Sequence, residues 1–173
     1  MSAFHMSAFH MSAFCRLAGI GLACVLAAPV QAQLKTEKVL SYEVAKTIAT
    51  TAVETCTAKG YRVSATVVDH AGDTVVQLRG DGASPHTMEN SRRKAYTSNT
   101  FRVPSAVTAK RFADGDAGVR QQVTLPNIIA IAGALPIKVG DDVIGAAGVS
   151  GSPGGNDEPC VQAGLDKVKD MLN

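Results

Sequence analysis

Apolar residues recur at spacings of three and four between residues 41 and 59, where Ala45, Ile48, Ala49, Ala52 and Cys56 would share one helical face. Ser41 suits the N-cap and Gly60 the stop, so the pattern predicts an amphipathic helix facing a core. The period then changes from helical to alternating. Residues 61–70 and 74–79 are rich in β-branched side chains, and Val63, Ala65 and Val67 alternate with other residues. Ala71, Gly72 and Asp73 between them form a turn signal, so the two runs predict an antiparallel hairpin with one dry face.

The next segment breaks the pattern. Ser84 and Pro85 announce a helix start, with serine as cap and proline in the first turn, where its missing N–H costs nothing. Yet the helix, HTMENSRRKAYTSN, has almost no apolar face. A second short helix is expected from about Pro104, with Val107, Arg111 and Phe112 at helical spacing, followed by a polar, glycine-punctuated stretch at 115–124 that reads as a mobile loop. Residues 128–134, 135–139 and 143–150 read as strands, the last two joined across Gly140, Asp141 and Asp142. Gly145, Gly148 and Gly151 either admit a close backbone approach or mark bulges. After a glycine-rich SGSPGGN, Asn156 or Asp157 caps a final helix with the stripe Val161, Leu165, Val168 and Leu172. The order is helix, two strands, two helices, three strands, helix. It predicts a single α/β domain over residues 33–173, with a mostly antiparallel sheet and helices on its faces.

The first residues change the picture of where this domain works. MSAFH occurs twice and MSAF a third time before Cys15, which makes Met11 the preferred true start. From there Arg16, a short apolar run and Val30-Gln31-Ala32 form a secretory signal peptide over residues 1–32, with cleavage expected after Ala32 and a periplasmic or secreted product. A lipoprotein reading with Cys24 acylated is weaker, because Gly21 stands where such a signal prefers a larger aliphatic residue. No segment is long and apolar enough for a membrane span.

Cleavage removes Arg16 and lowers the formal charge from +2 to +1, which argues against nucleic acid as a partner. Locally, Arg79, Arg92, Arg93, Lys94, Arg102, Lys110, Arg111 and Arg120 face only Asp81, Glu89, Asp114 and Asp116. That excess is either an anion-facing surface or a solvated helical face with ordinary ion pairs. Cys56 and Cys160, the two cysteines of the processed chain, are either a disulfide between two helices or two small buried thiols.

The sequence lacks a P-loop, a dinucleotide fingerprint, a nucleophile-elbow serine and zinc-ligand spacing, which leaves hydrolytic and phosphoryl-transfer chemistry without support. Of the two histidines after residue 32, His70 falls in the hairpin turn and His86 at the mouth of the polar helix beside Arg and Lys. An imidazole there can ligate iron, and the cations can meet the carboxylates of a porphyrin.

The blocks VVDHAGDTVVQLRGDGASPHTMENSRRKAYTSNTF and LPNIIAIAGALPIKVGDDVIGAAGVSGSPGGNDEPC closely resemble the GlcG/HbpS haem-binding family, which includes the C-terminal domain of PduO-type proteins. The likeness runs over roughly residues 40–172. It implies a profilin-like α/β/α sandwich with a five-stranded antiparallel sheet, homo-oligomers from dimers up to octamers, and haem near the first hairpin and the helix after it. The family's histidine at the helix start is matched by His86, its Arg/Lys-Ala-Tyr-Thr motif by Arg93, Lys94, Ala95, Tyr96 and Thr97, and its GVSG loop by Gly148, Val149, Ser150 and Gly151.

On that resemblance the leading expectation is an exported haem-binding protein. His86 would approach the iron, Arg79, Arg92, Arg93 or Lys94 would hold the propionates, and Gly148, Ser150 and Gly151 would line the pocket. A second reading is an oligomeric scaffold for a small organic anion without haem. A third is a haem-degrading or peroxidase-like enzyme, for which no convincing catalytic pair is visible. The small residues Ser91, Ala95 and Ser98 are expected to form a subunit interface.

Overall fold

Ser41 opens α1 (Tyr42–Ala58) by accepting a hydrogen bond from Val44 N–H, and the helix ends at Lys59 before a left-handed Gly60. This computed structural model describes residues 36–172; the signal peptide, the Met11 start, the cut after Ala32 and Cys24 lie outside them. The apolar face of α1 is buried at Ala45, Ile48, Ala49, Ala52 and Cys56. It packs on a sheet built from β1 (Ser64–Asp69), β2 (Thr74–Arg79), β3 (Ala134–Val139) and β4 (Asp142–Ser150). All pairings are antiparallel and the strand order is β2-β1-β4-β3. The turn between β1 and β2 is held by Asp69, whose Oδ1 accepts from Ala71 N–H and Asp73 N–H.

The final helix, α5 (Asp157–Lys167), lies beside α1 on the same face of the sheet. Cys56 and Cys160 form a disulfide between these two helices, with Cα atoms 5.6 Å apart. Around it Ile48, Val63, Val67, Ile137, Val149, Val161 and Val168 are fully buried. Complete burial of such side chains stabilises by about 1.5–3 kcal/mol each before conformational entropy is subtracted, so this layer holds the fold's main apolar core.

The other face of the sheet is not open. It carries α2 (His86–Phe101), whose buried positions are Thr87, Ser91, Lys94, Ala95, Thr97, Ser98 and Asn99. Packing there is achieved by hydroxyls and small residues. Ser64 Oγ and Thr87 Oγ1 lie 2.7 Å apart, and Thr66 Oγ1 and Ser91 Oγ 2.8 Å apart. Gln77 Nε2 donates to Thr66 Oγ1, while Ser91 Oγ donates to Met88 O. The chain of donors therefore runs Gln77 to Thr66 to Ser91 to the backbone, with every proton placed. Gly148 admits the helix closely, since a Cβ there would meet Ser91 O at 2.5 Å and Ala95 N at 2.8 Å. The expected dry face is present, with Val63, Ala65 and Val67 in the apolar core, and the opposite face of β1 is covered as well, by hydrogen bonds.

Four expectations change. Residues 128–133 do not form a strand, Ala134 being the start of β3, and among the described residues the sheet has four strands where five were expected. Ile129 N–H donates to Thr97 Oγ1 and Ala134 N–H to Ser105 Oγ, so side chains of α2 and of α3 (Ser105–Ala113) take donors that a neighbouring strand would need. Residues 115–124 are not a loop throughout: Asp116 accepts from Val119 N–H and caps α4 (Ala117–Gln122). Ser84 contributes its carbonyl, not its hydroxyl, to the start of α2, accepting from Thr87 N–H and Thr87 Oγ1. Ser91, Ala95 and Ser98 are buried within the chain, against β1, against β4 and on Val103 O, and so are not free to face another subunit. Val107 and Phe112 of α3 point partly to solvent. Among the described residues no helix is long and apolar enough to cross a membrane.

Candidate functional site

Lys94 sits in the third turn of α2 with 3% of its side chain exposed, a position where a lone ammonium would cost several kcal/mol. Its Nζ donates to Asp157 Oδ2 at 2.7 Å and to Val149 O at 3.1 Å. Asp157 is the first residue of α5, where a carboxylate also favours the positive end of the helix dipole. Its other oxygen, Oδ1, accepts from Ser152 N–H at 3.1 Å and Ser152 Oγ at 2.7 Å. The pair therefore joins α2, the end of β4 and α5 at one point. Gly133 makes room for it. A Cβ on this residue would lie 2.8 Å from Lys94 Nζ, and its φ of +132° is one that side chains rarely adopt.

Above this pair lies an open cavity of about 360 Å³, lined by His86, Asn90 and Lys94 from α2, by Ile131 and Ala132 from the segment before β3, and by residues 150–152, 154, 155 and 157 around the glycine-rich turn. His86 is exposed at the first position of α2, and its imidazole has no hydrogen-bond partner among the described residues. Ser150 is a buried residue that lines the cavity, and its hydroxyl is likewise without a partner among the described residues. Both groups remain available to a ligand. No three or more His, Cys, Asp or Glu side chains gather as a metal site among the described residues, so His86 stands as a single imidazole.

Of the residues singled out from the sequence, the fold brings His86, Lys94, Ser150 and Gly151 to this cavity. The others are placed elsewhere. Arg79 Nε and Nη2 donate to Ala83 O and close the loop after β2. Arg92 pairs with Glu89 and reaches Asn127 Oδ1 at 3.0 Å. The Arg92–Glu89 hydrogen bond holds the Glu89 carboxyl below the usual glutamate range and pushes the Arg92 guanidinium up. Arg93 donates to Ile128 O at 2.6 Å. The Tyr96 ring packs over Gly72 in the β1–β2 turn, where a Cβ would meet it at 2.7 Å. Thr97 accepts from Ile129 N–H, and Gly148 faces α2. Reading the sequence missed Asn90, Ser152, Asp157, Ile131 and Gly133 as parts of the site. Of these only Asp157 has a local signal, as a helix cap after the glycine-rich SGSPGGN.

Residues 40–166 match the family model described as "Haem degrading protein HbpS-like". The chain is similar to a crystal structure of HbpS, with 34% identity and a TM-score of 0.73 over 79% of this chain and 94% of that one. It is 28% identical to Protein GlcG of Escherichia coli (strain K12) over 68% of this chain and 85% of GlcG. It also shares its fold with PduOC in a crystal structure of a PduOC–haem complex, at 21% identity and a TM-score of 0.68, covering 75% of this chain and 94% of that one.

Proposed function

The chain belongs to the HbpS-like family, and from that premise we propose that it is an exported haem-binding protein with His86 as its iron ligand. The observation that carries the reading is the placement of an unengaged imidazole at the rim of a cavity whose floor holds a buried cation. The residues present fit the group. His86 offers a nitrogen to iron, Ile131 and Ala132 offer apolar contact to the ring, and Lys94 with the Ser150 hydroxyl offers donors to a propionate. Bound haem would supply the redox and ligand-binding chemistry of its iron. The chain's own part is to bind the group, orient it through His86 and limit the access of water on the side of Ile131.

Binding without turnover is the favoured form of this reading. Asp157, the carboxylate of the cavity, has one oxygen on Lys94 and the other on Ser152, which leaves it poorly placed to carry protons to and from a substrate. Export rests on the signal peptide read at residues 1–32 and agrees with a disulfide between Cys56 and Cys160. Sequencing the N-terminus of the exported protein tests that half of the proposal: Gln33 is expected, and an unprocessed Met contradicts it. A haem titration followed at the Soret band tests the binding half.

A further inference from the structure

We propose that the floor of this cavity is a carboxylate seat, built by Lys94 and the Ser150 hydroxyl beside the start of α5, and that a carboxylate occupies it whether or not a porphyrin is attached. An ammonium has three donors. Two of those on Lys94 are spent on Asp157 Oδ2 and Val149 O, and the side chain lines the cavity with a third still unplaced. Asp157 meets an incoming anion as one half of a neutral ion pair with Lys94, its second oxygen already accepting from Ser152.

The remaining groups at the floor are donors. Asn156 does not cap α5 with its side chain, which is turned to Pro153 O instead, and at the start of the eleven-residue helix the N–H groups of Asp157 and Glu158 lack intrahelical partners, Pro159 having none to offer. Gly154 and Gly155 lie against the same cavity and keep that end bare of side chains. The spare donor of the charge-paired Lys94, an unengaged hydroxyl and an uncapped helix start all offer hydrogen bonds to an anion. Two oxygens on one carbon answer this arrangement better than a monatomic ion, because they can be divided between Lys94 and Ser150. At about 360 Å³ the cavity also stands at the small end of ligand sites, which favours a small acid or one limb of a larger one.

The carboxylate has two possible sources, a free organic acid or a haem propionate, and the experiment separates them. Malonate is titrated into the full chain while the amide resonances of Gly151, Ser152, Gly154 and Gly155 are followed by NMR, with uncharged malonamide as control. The same protein is titrated with haem and with haem dimethyl ester. All titrations are repeated on the double variant Lys94→Met with Asp157→Asn, which removes both buried charges together and is first shown to be folded by its melting transition.

The proposal expects saturable shifts with malonate and none with malonamide, and a loss of malonate affinity of about tenfold or more in the double variant. If haem weakens by a similar factor while its dimethyl ester does not, the resident carboxylate is a propionate. If haem is unaffected while malonate is lost, it is a free acid. A folded double variant that binds malonate and haem as the parent does overturns the seat. The malonate arm does not rest on the haem reading, so a parent protein that binds malonate without a Soret response sinks that reading alone.

Discussion

Lys94 on α2 and Asp157 on α5 meet at 2.7 Å across 63 residues of sequence, and both side chains are almost wholly buried. The contact ties the hydroxyl-packed helix to the disulfide-linked layer on the other side of the sheet. Removing one partner strands the other charge. Lys94→Met alone is expected to cost about 3–5 kcal/mol, and Lys94→Met with Asp157→Asn to recover much of that loss. Chemical denaturation of the four members of the cycle checks this, and additive single effects would contradict it.

The hydroxyl network that seats α2 makes a separate prediction. Thr66→Val keeps the shape but removes the link between Gln77 Nε2 and Ser91 Oγ. The expected loss is about 1–3 kcal/mol, the cost of leaving buried polar groups unpaired. Adding Ser91→Ala should cost less than the sum of the two single changes, because the second change removes a group already orphaned. Urea unfolding reads both values.

These two contacts also show which parts of the molecule were legible in the sequence. The faces of α1 and α5 follow apolar periodicity, and the β1–β2 hairpin follows alternation and its turn residues, because both pack by hydrophobic burial. Helix α2 is buried by Thr87, Ser91, Thr97 and Ser98, residue types that also populate exposed helices, so its core face carried no apolar signal. Residues 128–134 looked like a strand because Ile128, Ile129 and Ile131 are β-branched. Their backbone is held by Thr97 and Ser105, which no local pattern announces. The helix α4 was hidden in a polar stretch whose one cue was Asp116 as a cap. Of the site, His86 with its neighbouring cations and Gly151 stood out from the residues themselves, and the family resemblance added Ser150 and gave Lys94 its role. Asp157 and Gly133 became visible only through the contact with Lys94 that the fold creates.

The disulfide offers a third test. Cys56 and Cys160 enclose a sequence separation of 104 residues, and a loop of about 100 residues corresponds to roughly 4.7 kcal/mol in the chain-entropy description. Reduction, or Cys56→Ala with Cys160→Ala, should lower the unfolding free energy by a value between about 2 and 5 kcal/mol. Cys160 lies one turn after Asp157, so amide protection at the start of α5 should fall as well. Equal unfolding midpoints with and without reductant would contradict the prediction.

Acid should loosen α4 before the rest of the fold. The Val119 N–H and then the Arg111 guanidinium, both bonded to Asp116, hold its carboxyl below the usual aspartate range. A lowered carboxyl contributes fully above the ordinary value of about 3.9 and loses its contribution as the pH falls through its own lower value. Hydrogen exchange at Val119 should therefore speed up, relative to core amides, as acid protonates Asp116. A constant ratio across that range would contradict the assignment.

Haem bound through His86 is the state proposed for this chain. Titrating haem into the full-length protein and into His86→Ala, with the Soret band recorded at each step, tests it most directly. The parent should show a saturable red-shifted Soret band, and the variant should lose that shift or weaken binding by about tenfold or more while keeping the parent's melting temperature. A parent with no saturable shift would contradict haem binding. A variant with the parent's spectrum and affinity would contradict His86 as the ligand.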